Sequence, residues 1–322
     1  MSVSRVCLGF TSYRLETIPF VRARMRQYQC IVLEEPHTPG FNEMLGGEMA
    51  IDSYLLLTDF GFPKFAREQC RTLQELHSQD KTIYQVEPFL HELIGIHEYF
   101  AAGGTPQEIK EGTIARKVYD CERIWTSRLL DFYKASSSAP DFLEVVNSVK
   151  NFARADAQKG RLRDVMRAGE LKDLFKTCPS LYVEAGYIHF ALLRELSENV
   201  PSSAKFEIFY SLEEYFRSKI GRRQLLGPGD VLTLLYTCRP DYEGLKADLL
   251  AARSLIYNKV VHKDEFQEEP GNLPHARDEI QAVYLANSLD YNQCASLYEI
   301  IRGLGTEDAG KQVQSWLKSV RQ

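Results

Sequence analysis

Short apolar or β-type runs, each closed by an acid and a proline, limit most strongly what this chain can fold into. Cys30 to Leu33 is followed by Glu34, Glu35 and Pro36, and Thr82 to Val86 by Glu87 and Pro88. Runs this short between turn signals read as buried strands rather than helices. Arg5 to Phe10 and Leu181 to Ala185 are two more, and Lys205 to Tyr210, which alternates, adds a fifth. Between them the spacing is helical: Ile18 to Tyr28 behind Pro19, the amphipathic Phe65 to His77, and Gly186 to Leu196. Most of Phe89 to Lys176 is helical too, with breaks at Gly103-Gly104 and Ser136 to Pro140.

Strands alternating with helices predict an α/β fold: a short, mainly parallel central sheet of four to five strands with large helical insertions. No convincing strand follows Tyr210. Asp230 to Val261 and Ala276 to Gly303 read as helices joined by the polar loop Glu265 to Pro274, so a C-terminal helical layer is expected. The expected division is a core over 1–215, with 89–176 as its helical insertion, and a helical region over 216–322 packed on that core. The 322 residues exceed the usual ~100 to 200 per domain and can bury a full core.

A formal net charge of -5 gives no general attraction to phosphate backbones or anionic membranes, so nucleic acid is not an expected partner. Arg22, Arg24 and Arg26 are read as a solvated helix face. No stretch approaches the 18 or more apolar residues of a membrane span, and the start of the chain lacks a secretory pattern, so cytoplasm is the expected compartment. Seven cysteines without paired spacing indicate no disulfide framework, and Cys7 and Cys30 read as small buried hydrophobes. His91-Glu92 and His97-Glu98 have the wrong spacing for a zincin. No Walker loop, G-x-G-x-x-G or G-x-S-x-G is present.

Ligands of open α/β sheets bind outside the carboxyl ends of the strands. That rule selects Thr11, Ser12, Tyr13, Arg14 and Glu16 after the first strand, then Glu34, Glu35 and His37, then Glu87, and finally Glu184 and His189. The plain alternative for any one of these acids is a helix start, where a carboxylate offsets the dipole by ~0.3 to 1 kcal/mol. Glu184 is the most informative, because it lies inside Leu181-Tyr182-Val183-Glu184-Ala185, where an unpaired charge is costly to bury. It needs a cation such as Arg14, a metal, or its own proton.

Several segments together resemble the TraB/TIKI/ChaN-like superfamily, to which erythromycin esterase-like proteins are distantly related. They are Leu8-Gly9-Phe10-Thr11-Ser12-Tyr13, Ile31-Val32-Leu33-Glu34, Arg163-Asp164-Val165-Met166, and Tyr182-Val183-Glu184-Ala185-Gly186-Tyr187-Ile188-His189. The resemblance covers roughly the first 210 residues. It implies a compact α/β core and, in TIKI-type members, a metal-dependent peptidase centre using two histidines and glutamate. Ser12 stands where the family's first histidine would be, and the C-terminal helices are outside the resemblance.

The expectation is a hydrolase, metal-dependent or acid/base. Glu34, Glu184, His189 and Arg14 are its catalytic candidates, and Glu34, His189, Glu35 and Glu87 are its candidate ligands for a divalent metal ion. The alternative is a non-catalytic protein that binds a small ligand or regulates, having lost the first ligand histidine. A small molecule or peptide is the expected partner. Leu249, Leu255 and Val260 could serve a homodimer through the C-terminal helices, or pack on the chain's own core.

Overall fold

A computed structural model describes residues 3–57, 61–138, 141–267 and 272–320. The chain begins with β1 (Arg5–Thr11), α1 (Ile18–Met25) and β2 (Cys30–Leu33), then the short helices α2 (Phe41–Leu45) and α3 (Ile51–Leu55). Next come α4 (Pro63–Ser78), β3 (Thr82–Gln85) and α5 (Pro88–Ala101), followed by two long helices, α6 (Ile114–Ser138) and α7 (Phe142–Thr177). β4 (Ser180–Gly186), α8 (Phe190–Asn199), β5 (Lys205–Tyr210) and α9 (Glu213–Ile220) complete this part. Five helices follow: α10 (Pro228–Cys238), α11 (Leu245–Val260), α12 (Pro274–Asn287), α13 (Tyr291–Ile301) and α14 (Thr306–Val320).

All five expected strands form, and their pairings are all parallel in the order β3-β2-β4-β1-β5. Central strands of such a sheet are covered on both faces, which is why β2 is buried throughout and β1 and β4 nearly so. The connections from β1 to β2 and from β2 to β3 run one way along the sheet. Those from β3 to β4 and from β4 to β5 run the other way. Right-handed crossovers therefore place their helices on opposite faces. Accordingly Val21 and Met25 of α1 and Cys70 and Leu73 of α4 pack with Cys7, Ile31, Leu33 and Tyr182. Leu171 and Phe175 of α7 and Leu192 and Leu196 of α8 pack with Val6, Leu8, Val32 and Val183.

Tertiary contacts divide the chain into two units, one of residues 1–120, 160–224 and 265–272 and one of 121–159, 225–264 and 273–322. The sheet belongs to the first. The second is helical and draws on 121–159, inside the segment read as an insertion of the core, so it is not purely C-terminal. A 36-residue helix such as α7 is about 54 Å long, and α6 and α7 each contribute residues to both units.

Three expectations are corrected in detail. The helix expected over Asp230 to Val261 is broken into α10 and α11, with Gly244 at φ +133°, a conformation that glycine accommodates. The one over Ala276 to Gly303 is split by a capping box, in which Asp290 accepts the Gln293 N–H at 2.8 Å and the Gln293 side chain accepts the Asp290 N–H at 2.9 Å. Helix α8 starts at Phe190 rather than Gly186, leaving His189 at its cap. Leu255 and Val260, which the sequence left open between a homodimer face and the chain's own core, lie in the helical unit's own core with Leu232, Ile256, Leu297 and Val313. Parts of the expected breaks at Ser136 to Pro140 and Glu265 to Pro274 lie outside the described residues.

The cysteine reading is corrected as well. Cys30 and Cys178 form a disulfide across a separation of 148 residues. Parallel pairing of β2 with β4 puts Cys30 opposite Leu181, three residues after Cys178. Cys7 stays a free, buried thiol. Of the three arginines in the basic run, Arg24 is not simply solvated: it bonds Glu207 and lies over Tyr28 and Phe209.

Candidate functional site

β1 and β4 are neighbours whose following connections leave in opposite directions, so the crevice beyond their carboxyl ends is the switch point of the sheet. Residues from both loops meet there on one carboxylate, Glu34, at the end of β2. Glu34 Oε2 accepts the Tyr13 hydroxyl at 2.8 Å and the Gly186 N–H at 2.8 Å. Glu34 Oε1 lies 2.8 Å from His189 Nε2 and accepts Arg163 Nη2 at 3.1 Å.

The cluster continues into α7. His189 Nδ1 is 2.5 Å from Asp164 Oδ1, and Asp164 Oδ2 accepts the Leu192 N–H at 2.9 Å in the first turn of α8. Arg163 Nε bonds Glu87 Oε1 at 3.1 Å. Arg167 is 1% exposed, gives Nε to the Val86 carbonyl at 2.9 Å, and brings Nη1 to 3.8 Å from Glu34. Three cations thus face three acids, Glu34, Glu87 and Asp164, as burying charge requires.

Burial opposes the charged imidazole, but Glu34 and Asp164 outweigh it and hold His189 at about 10. Burial likewise opposes the Glu34 carboxylate, yet His189, Arg167 and Arg163 keep it ionised far below the usual carboxylate range. The Tyr13 phenol is pushed well up by burial and by the charges of Glu34 and Glu184. His189 is therefore an imidazolium clamped between two carboxylates, not a free base.

Glu34, Glu87 and His189 come together as the sequence suggested, while Glu184 and Glu35 lie on the other face of the sheet. Glu184 is 2% exposed, and its Oε2 has no hydrogen-bond partner among the described residues. Burial, then the charges of Glu35 and Glu34, push it to about 8 against the opposing effect of Arg167. Of the three partners open to it from sequence, it takes the proton. Arg14 is not its counter-ion: that guanidinium lies 4.1 Å from the Phe62 ring centroid. His37 is exposed. Ser12 supplies its carbonyl to the Thr11 and Thr17 hydroxyls.

The residues do not fit a divalent metal. Both ring nitrogens of His189 are engaged by carboxylates, and two guanidinium groups stand where a cation would be repelled. Among the described residues no group of three or more His, Cys, Asp or Glu is arranged to hold one. The expected ligand set of Glu34, His189, Glu35 and Glu87 does not fit for a plain reason: Glu34 is already paired with His189, Arg163 and Arg167, and Glu87 with Arg163.

Beside the cluster, on the α4 face, is a cavity of about 260 Å³. It is lined by Tyr13, Glu35, Phe41, Tyr54, Phe62, Phe65 and Gln69, among others. Tyr13 joins the two places, with its hydroxyl on Glu34 and its ring edge-on to Phe65 at 5.8 Å. Burial raises the Glu35 carboxyl, although Gln85 donates to it at 3.1 Å.

Sequence reasoning gave no role to Arg167 or Asp164. The readable signal was the buried stripe of α7, Asp164, Ala168, Leu171 and Phe175, an apolar line with a charge at its head.

Fold and site together define a doubly wound α/β protein with a buried carboxylate–imidazolium–carboxylate string at its switch point. The chain belongs to the same family as an uncharacterised protein of Archaeoglobus fulgidus, to which it is 31% identical over 291 residues, 90% of this chain and 96% of the relative. No family model matches the chain. No solved structure matches it either. Among the described residues no helix is long and apolar enough to cross a membrane.

Proposed function

We propose that this protein is a metal-independent acid/base hydrolase of a small molecule bound in the cavity beside Tyr13. The observation that carries this reading is Glu35, a carboxyl on the cavity wall that burial raises above its ordinary value, the direction that suits a group exchanging a proton with substrate. In this reading Glu35 touches the substrate and moves the proton between water and leaving group. Glu34, His189 and Asp164 act through Tyr13, fixing its ring and hydroxyl at the cavity's inner end, and are positioning residues. The same convergence of Glu34, Arg163-Asp164 and Gly186 to His189 supports reading the chain as a TraB/TIKI-like protein without that family's metal centre.

The test is turnover of a panel of small esters, lactones and amides at neutral pH by wild type and Glu35→Gln. Hydrolysis by the wild type that is lost in a folded Glu35→Gln protein is the expected result. Equal turnover by both would remove Glu35 from the chemistry.

A second reading, a small-ligand-binding protein without catalysis, is favoured by one specific observation: His189 is 6% exposed with both nitrogens engaged. Ligand-induced stabilisation without turnover of any panel member would favour it.

A further inference from the structure

The cavity wall has a consistent chemical character. Five aromatic rings line it, Tyr13, Phe41, Tyr54, Phe62 and Phe65, and its polar side includes Glu35 and Gln69. Among its described lining residues there is no lysine or arginine. Gln69 is 7% exposed, and its Oε1 is closed off from solvent.

Ring faces carry negative charge density and attract organic cations, and a carboxylate adds to that attraction. The protein already sets a cation of its own on one of these rings, Arg14 on Phe62. At about 260 Å³ the cavity is below the ~300 to 1,000 Å³ of pockets for drug-sized ligands, so its occupant is small.

We infer that the cavity binds a small protonated amine, its N–H groups donating to Glu35 and its hydrocarbon body lying against the rings of Tyr54 and Phe65. This deepens the proposed function by naming the substrate class, and it rests on the reading that this cavity is the ligand site. Beside an ammonium the buried Glu35 carboxyl gives up its proton and becomes the counter-charge, which a neutral ligand does not ask of it. An anion would meet the Glu35 carboxyl, and Arg14 is already set on Phe62.

The experiment is calorimetric titration of the full chain at pH 7 with cyclohexylamine and, separately, with cyclohexanol. A hydrogen bond to a charged group contributes about 1.5 to 3 kcal/mol, so the amine is expected to bind roughly ten- to hundredfold more tightly than the alcohol. Glu35→Gln is expected to remove most of that difference. Equal affinity for amine and alcohol in the wild type, or no binding of the amine, would overturn the inference whether or not the variant folds. Because binding is read, not turnover, the two proposals fail separately. Amine binding by an inactive protein removes the hydrolase reading alone, while turnover of neutral substrates without amine binding removes this inference alone.

Discussion

Glu34 at the end of β2 and His189 at the cap of α8 meet at 2.8 Å, with Asp164 closing the other side of the same imidazole at 2.5 Å. Both contacts are buried. An imidazolium held this way is a structural keystone as well as a candidate part of the site.

Removing it strands Asp164, left with the Leu192 N–H, and takes one of three cations from Glu34. His189→Ala is expected to destabilise the protein by about 3 to 5 kcal/mol, the usual result of breaking one side of a buried ion pair. His189→Gln, which still offers a donor, is expected to cost less. Urea unfolding monitored by circular dichroism checks both. A His189→Ala protein as stable as wild type would show that the pairs contribute little.

Stability should fall as pH rises above about 5. Glu184 titrates at about 8 in the folded protein against 4.5 ordinarily, and His189 at about 10 against 6.5. Both are raised, so the folded chain holds protons the unfolded chain has released. The stabilisation is complete below the unfolded values and is lost as pH climbs through 8 and then 10. Glu34, shifted down, works in the opposite sense and loses its contribution in acid. Glu184→Gln is expected to flatten the decline between about pH 4.5 and 8, read from melting temperature against pH. An unchanged slope would show that Glu184 is not its source.

The Cys30–Cys178 disulfide closes a loop of 148 residues. Chain-entropy arguments give about 5 kcal/mol for so long a loop, with measured cases spread over ~0 to 5. Cys178→Ser, or reduction before unfolding, is therefore expected to lower the unfolding free energy by several kcal/mol and with it the denaturation midpoint. Identical midpoints with and without reductant would show that the bond does not constrain the unfolded chain.

Two glycines should respond in opposite directions to the same change. A Cβ on Gly9 would meet the Tyr182 ring and hydroxyl at 2.2 to 2.6 Å, and both residues sit inside the sheet, so Gly9→Ala is expected to cost about 1 to 3 kcal/mol or more. Gly95, exposed in α5, has nothing within 4 Å of such an atom. Gly95→Ala should stabilise by about 0.5 to 1 kcal/mol. Thermal melts of the two variants decide this directly.

Local pattern was enough for the strands, their parallel character and the end of the sheet where polar residues gather. Each depends on a few consecutive residues: Cys30 to Leu33 closed by Glu34, Leu181 to Ala185 running into Gly186. Helix interiors were legible for the same reason. Helix ends near Gly244 and Asp290 were not, because capping contacts compete there with an otherwise continuous helical spacing.

The partners across the site were decided only by tertiary structure. Asp164, Arg163 and Arg167 reach Glu34 and His189 because a helix of 36 residues carries them across the sheet, and no spacing rule links α7 to β2. The same holds for Cys30 and Cys178, which the β2–β4 pairing brings together. Nor could sequence choose among a cation, a metal and a proton for Glu184. That choice depends on burial and on the charges of Glu34, Glu35 and Arg167 around it, which exist only once the chain is folded.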